Sequence, residues 1–150
     1  MLIRDFDILV VDDEALIRMD AVDTLSGART FYEAAYADEA LRVLDKHGEI
    51  MLVFTDVNMP GDMDGVALVA KVYETRPSIR WIVTSGREDL EEADLPDHAS
   101  FLPKPYRQDD LLRLVARKLQ TVGLINAVWL PVRSTISAPH AVSVCRFSSP

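Results

Sequence analysis

The sequence predicts an α/β fold in which an open, mostly parallel sheet of five strands alternates with helices. Three observations predict it. Short β-branched runs alternate with segments of helical period along the first 120 residues. The runs are continuously apolar rather than alternating, the pattern of strands buried on both faces. The residues just past them are acidic, small or basic, and that rim is where an open α/β sheet places its ligands.

The elements follow in order. Ile8 to Val11 (ILVV) is the first strand. Ile17, Ala21 and Leu25 recur at spacing four and predict a helix that stops near Ser26-Gly27. Thr30 to Ala35 reads as a second, weaker strand. Asp38 is expected to cap a helix over Glu39 to His47, with Gly48 ending it. Ile50 to Thr55 is the third strand. Asp64-Gly65 opens a helix with Leu68 and Val72 inward, closed before Pro77. Trp81 to Val83 is the fourth strand, and Phe101-Leu102 the core of a fifth. Pro103 cannot donate to a ladder and so places strand five at the sheet's edge. The Lys104-Pro105 bond is expected to be cis, since X-Pro has the only inexpensive cis peptide. Residues 107–120 form an amphipathic helix with Leu112, Val115, Ala116 and Leu119 on one stripe. Between strands four and five, GREDLEEADLPDH offers only Leu90, Ala93 and Leu95 as an apolar stripe. A short or mobile fourth helix is the expectation there.

One hundred and fifty residues suffice for one domain with a proper core and are too few for two ordinary ones. A net charge of −8 disfavours nonspecific attraction to nucleic acid or anionic lipid. The single cysteine, Cys145, excludes an intramolecular disulfide framework and a cysteine-based zinc site. Arg4, Asp5 and Asp7 break any early apolar run, so no signal peptide is read. No stretch approaches the roughly 18 apolar residues of a membrane span. These features predict a cytoplasmic protein with no membrane insertion and no direct nucleic-acid contact. Residues 121–150 contain no Asp or Glu and two arginines, which leaves residues 1–120 with −10. The expected organisation is one domain over residues 1–120 and a poorly ordered C-terminal tail over residues 121–150, outside the core.

Four separated stretches converge on the carboxyl ends of the strands. They are Asp12-Asp13-Glu14, Asp56, Thr84-Ser85-Gly86 and Lys104-Pro105. Two carboxylates ~5 Å apart at an effective dielectric near 20 repel by ~3 kcal/mol, so a crowded set needs raised pKa values or a hard cation. Carboxylate oxygens without Cys or His nearby favour Mg²⁺. Lys104 adds a mobile ammonium and Thr84 a hydroxyl donor. Nucleophilic carboxylate, Mg²⁺, ammonium and hydroxyl together describe phosphoryl transfer to an aspartate. Asp62 reads as solvated loop and Asp64 as a helix cap. His47 and His98 read as surface residues, and Trp81 and Trp129 as packing.

The motifs VVDDE, FTDVNMPG…MDG, IVTSG and FLPKPY resemble those of the two-component response-regulator receiver domain, over residues 6 to about 120. The resemblance implies a doubly wound, flavodoxin-like sheet of order 2-1-3-4-5. It implies Asp56 as phosphoacceptor, served by a sensor histidine kinase or a phosphotransfer protein. Asp12, Asp13, Asp56 and the backbone carbonyl of Asn58 would hold Mg²⁺. Lys104 would pair with a phosphoryl oxygen, Thr84 would hydrogen-bond another, and Phe101 would take the switch-aromatic position rather than Tyr106. The output face would be the fourth helix, the fifth strand and the last helix.

Two departures stand out. Gly61-Asp62 lengthens the loop after Asp56 by one residue relative to the chemotaxis regulator, closer to short receivers found beside a subgroup of proteobacterial sensor kinases. The switch aromatic is Phe rather than Tyr. The expectation is a stand-alone phosphorelay receiver with no effector domain, a protein as downstream target and room for a homodimer. It would not be an enzyme beyond its own phosphorylation and dephosphorylation. A phosphatase of the haloacid dehalogenase type is a rival, but it wants its nucleophile at the end of strand one with a second Asp two residues on. A binding module that has lost phosphorylation is another, opposed by Asp56, Thr84 and Lys104 together.

Overall fold

Residues 7–28 and 30–121 are described by the structure, a computed structural model. Five parallel strands form one sheet in the order β2-β1-β3-β4-β5. They are β1 (Asp7–Val11), β2 (Thr30–Ala34), β3 (Ile50–Asp56), β4 (Arg80–Ser85) and β5 (Ala99–Pro103). Helices α1 (Ala15–Thr24), α2 (Ala37–Lys46), α3 (Gly65–Thr75) and α4 (Gln108–Thr121) supply the crossovers and the final cover. This is the doubly wound, flavodoxin-like architecture that the sequence predicts, with β5 at an edge.

Side chains alternate across each strand and sort the core into two layers. Ile8, Val10, Leu52, Phe54 and Ile82 pack with Ala21 and Leu25 and with the inner stripe of α4, Leu111, Leu112, Val115 and Leu119. Leu9, Val11, Val53, Trp81 and Val83 pack on the other face with Ala40, Leu44, Leu68, Val69 and Val72. Each Leu or Val so buried contributes about 1.5–3 kcal/mol. Trp81 is fully buried, in agreement with its reading as packing. Among the described residues, no helix is long and apolar enough to cross a membrane.

Several boundaries differ from the sequence reading, each for a local reason. Helix α2 starts at Ala37 rather than after Asp38. Its amino end is held by Glu39, whose carboxylate accepts from the Ala35 N–H at 3.2 Å. Asp38 lies in the first turn, where its charge suits the helix dipole. The helix ends on His47 rather than on a left-handed Gly48, and the His47 ring stacks on Tyr32 at 4.1 Å. Asp64 does cap α3, accepting from the Ala67 N–H at 2.9 Å. The Lys104-Pro105 bond is cis. The tail expected over residues 121–150, with Trp129, lies outside the described residues beyond Thr121.

The fourth helix, expected to be short, is a single 3₁₀ turn, Glu92–Asp94. Only Leu90 and Leu95 bury themselves there, at 9% and 8% exposure. Glu88, Glu91 and Glu92 would crowd one helical face with like charge, and Pro96 disfavours helix at Leu95. The acids accept local hydrogen bonds instead. Glu91 and Asp94 cap each other reciprocally, and the Glu92 carboxylate accepts from the Phe101 N–H on the free edge of β5 at 3.1 Å.

Candidate functional site

The strand ends are locked one to the next before any side chain is considered. The Asp12 N–H donates to the Ala34 carbonyl at 3.0 Å, that of Val57 to Thr84 at 3.0 Å and that of Lys104 to Ser85 at 2.9 Å. Three rungs beyond the strands therefore fix the backbone under Asp12, Asp56, Thr84 and Lys104. Gly65 closes the loop after Asp56: its N–H donates to the Val57 carbonyl at 2.9 Å. The loop between them turns at Gly61, whose φ of +107° favours glycine.

On that rim the carboxylates of Asp12, Asp13 and Asp56 come together, one oxygen of each lying within 4.8 Å of the others. Asp12 and Asp56 are buried, at 2% and 5% exposure, and Asp13 is open to solvent. The Lys104 ammonium reaches over both buried acids, 3.5 Å from Asp56 Oδ2 and 3.9 Å from Asp12 Oδ2. One cation does not offset the burial of the two acids. Burial pushes the Asp12 carboxyl up to about 6; the Glu14 N–H and Lys104 pull it down, while Asp56 and Asp13 raise it. Burial also raises Asp56, opposed first by Lys104 and then by the backbone N–H groups of Asn58 and Val57.

At this rim two buried oxygens, Asp56 Oδ1 and Thr84 Oγ1, have no hydrogen-bond partner among the described residues. Asp56 and Thr84 are register partners on adjacent strands. A buried polar atom without a partner costs about 1–3 kcal/mol and marks a place built for something else. Three hard oxygen ligands, raised carboxyl pKa values and an orphaned carboxylate oxygen fit a divalent cation of the Mg²⁺ type.

The structure thus brings together Asp12, Asp13, Asp56 and Lys104, with Thr84 alongside. Asn58 is exposed in the loop two residues past Asp56, and Asp62 is exposed further along it. Phe101 is not among the carboxylates. It is half-buried against the α2–α3 layer, and it lines a groove of about 520 Å³ with Pro103, Tyr106, Arg113 and Leu114. His98, read as a surface residue, is half-buried and stacks on Tyr73 at 4.3 Å.

Sequence reasoning missed two neighbours of the site. Tyr106 packs edge-on against Phe54, with ring centroids 5.9 Å apart. Burial, then Asp20, Asp12 and Asp56, push its hydroxyl up to about 12, so it stays protonated beside the acids. It also walls a groove of about 530 Å³ with Leu16, Ile17, Asp20, Lys104 and Pro105, which opens next to the ammonium. Arg18 donates to the Asp12 carbonyl at 2.6 Å. An aromatic just after Lys-Pro and a cation one turn into α1 were the available signals, and both are common in chains without such a site.

Comparison with known proteins agrees with this geometry. The family model described as the response regulator receiver domain matches residues 8–116. Sensor kinase CckA of Brucella abortus is 39% identical over 118 residues, 75% of this chain and 12% of that protein. The DNA-binding transcriptional regulator NtrC of Escherichia coli K12 is 33% identical over 117 residues, 73% of this chain and 24% of that one. The chain therefore spans only a small part of these curated relatives' length. Among solved structures, the receiver domain of the hybrid histidine kinase CckA is 33% identical with a TM-score of 0.64, covering 76% of this chain and 99% of that one. The signal receiver domain of an HD domain-containing protein from Pseudomonas fluorescens is 28% identical with a TM-score of 0.69, covering 81% and 91%.

Proposed function

Because the chain belongs to the response regulator receiver domain family, we propose that Asp56 is the residue at which it accepts a phosphoryl group. The observation that carries this is the orphaned, buried Oδ1 of Asp56 beside two further carboxylates and an ammonium 3.5 Å from its other oxygen. Asp12, Asp13, Asp56 and the carbonyl of Asn58 would hold Mg²⁺. That cation, when bound, supplies neutralisation of the carboxylates and of the incoming phosphoryl oxygens.

The chain's own groups do the rest. A carboxylate oxygen of Asp56 attacks phosphorus as the P–N bond of a donor phosphohistidine breaks, and the released imidazole takes up a proton. Lys104 follows the charge from the carboxylate onto the phosphoryl oxygens. The Thr84 hydroxyl, unpartnered before transfer, gains an acceptor after it. That gain draws the segment after β4 inward and repositions Phe101, so the response reaches the face made by the 3₁₀ turn, β5 and α4. One charge-assisted bond of about 1.5–3 kcal/mol shifts such an equilibrium roughly ten- to hundred-fold.

The donor is a sensor histidine kinase or a phosphotransfer protein. It would dock over the exposed Leu16 and Met19 of α1, at 79% and 59% exposure, beside the groove that opens at Lys104. The output is contact with a protein target in the cytoplasm, and turnover is limited to the chain's own phosphorylation and dephosphorylation. Incubation with acetyl phosphate tests the reading: intact mass should rise by one phosphoryl group with Mg²⁺ and stay unchanged with a chelator. Equal labelling in both would remove the cation from the account.

A further inference from the structure

Asp12 is fixed twice, and the second fixing comes from a residue that the phosphoryl-transfer reading does not use. Its Oδ1 accepts from the Glu14 N–H at 2.9 Å, which turns Oδ2 toward Lys104. Its carbonyl accepts from Arg18 Nη1 at 2.6 Å, a bond across the β1–α1 turn. The same guanidinium reaches β2 through Nε, 3.2 Å from Glu33 Oε1. Glu33 precedes Ala34, whose carbonyl accepts the Asp12 N–H at 3.0 Å. Asp12, Arg18 and the Glu33-Ala34 pair therefore close a ring that joins β1, α1 and the end of β2.

We propose that Arg18 is a positioning residue for the cation site, holding the backbone of the Asp12-Asp13 turn so that both carboxylates face Asp56. The inference rests on the proposed function, because it concerns the cation that function requires. Arg18 touches no reacting atom. Its donors are engaged away from the Asp12 carboxylate, Nε on Glu33 at 3.2 Å and Nη1 on the Asp12 carbonyl at 2.6 Å. A planar fork suits this task, since one edge of the guanidinium serves the carbonyl and another the carboxylate. Partners one step behind a metal ligand commonly alter its affinity by about 10–100-fold when removed.

Two explanations of Arg18 predict opposite signs. If it acts as a nearby positive charge, removing it makes the acidic cluster bind Mg²⁺ more tightly. If it positions the turn, removing it weakens binding. Magnesium titrations followed by amide shifts of residues 12–14 and 56–58 read the affinity without any phosphoryl transfer. Arg18→Met should weaken binding about tenfold. Arg18→Lys, which keeps a donor for the carbonyl but not the fork, should recover most of it. Arg18→Gln, uncharged but able to donate one bond to the carbonyl, should give a smaller loss, whereas the charge explanation predicts tighter binding for it as well. This milder variant supplies the answer if Arg18→Met does not fold. Tighter or unchanged binding in Arg18→Met and Arg18→Gln, with wild type binding normally, would overturn the positioning role alone. Absence of Mg²⁺ binding by wild type would overturn the functional reading, and this inference with it.

Discussion

Gly65→Ala places one methyl group where the structure has no room for it. The added Cβ would collide with the carbonyl oxygen of Asp56 and lie 2.9 Å from Val57 Cα, both main-chain atoms at the end of β3. Main chain locked in a sheet cannot swing aside as a flexible side chain can. Moreover, Val57 is tied on one side by Thr84 and on the other by the Gly65 N–H. The helix start must therefore retreat, or the Asp56 backbone must shift. Overpacking of this kind costs about 1–3 kcal/mol, and Ala gains back only part of glycine's helical disadvantage at a first position. For a domain of this size the melting temperature should fall by roughly 4–12 °C. The assay is thermal unfolding by circular dichroism, with Gly48→Ala as control, since nothing lies within 4 Å of a Cβ at Gly48. Because the displaced atoms carry Asp56, the rate of phosphorylation by acetyl phosphate should fall as well. A Gly65→Ala protein within ~0.5 kcal/mol of wild type would refute the close packing of α3 on the phosphoacceptor turn.

Thr84→Val should separate stability from signalling. The hydroxyl has no partner to lose, so stability should stay equal or rise by up to about 1 kcal/mol in urea unfolding. The variant should still accept phosphate, yet beryllofluoride should no longer move the amide signals of Phe101 and residues 87–95; normal movement there would route the coupling elsewhere. His98 gives a pH dependence. Burial first, then Arg80 and Lys118, hold its imidazole below the ordinary range, with Asp97 opposing. The unfolded chain therefore binds the proton more readily, and the folded state loses stability as pH falls below about 6.5. His98→Phe, which keeps a ring against Tyr73, should flatten that loss when urea midpoints at about pH 7.5 and pH 5 are compared; an unchanged slope would assign it to other groups.

What the sequence disclosed follows from the range of the forces involved. Continuous apolar runs specify strands covered on both faces, so ILVV and IMLVF were legible as β1 and β3, and the acids after them as rim residues. The shared rim of Asp12, Asp56, Thr84 and Lys104 follows once a parallel sheet is granted, since every strand then ends on one side. The segment after β4 was legible only as weak. Whether its acids decorate a helix or accept from backbone donors depends on β5 lying at the edge with a free Phe101 N–H, a tertiary fact. The start of α2 was misread because Asp38 is a good cap by type, while Glu39 reaches back to the Ala35 N–H. Arg18 and Tyr106 were silent for the same reason. Each acts on a partner that sequence spacing does not reveal, the Asp12 carbonyl in one case and the Phe54 ring in the other.

The central claim is that the phosphoryl group resides on Asp56 and on no other acid of the cluster. Borohydride reduction of the protein phosphorylated by acetyl phosphate converts an acyl phosphate to an alcohol, and peptide mass spectrometry then locates it. The account predicts homoserine at position 56 alone in wild type and no reduced residue in Asp56→Asn. Reduction at Asp12 or Asp13 in wild type, or undiminished labelling of Asp56→Asn, would contradict it.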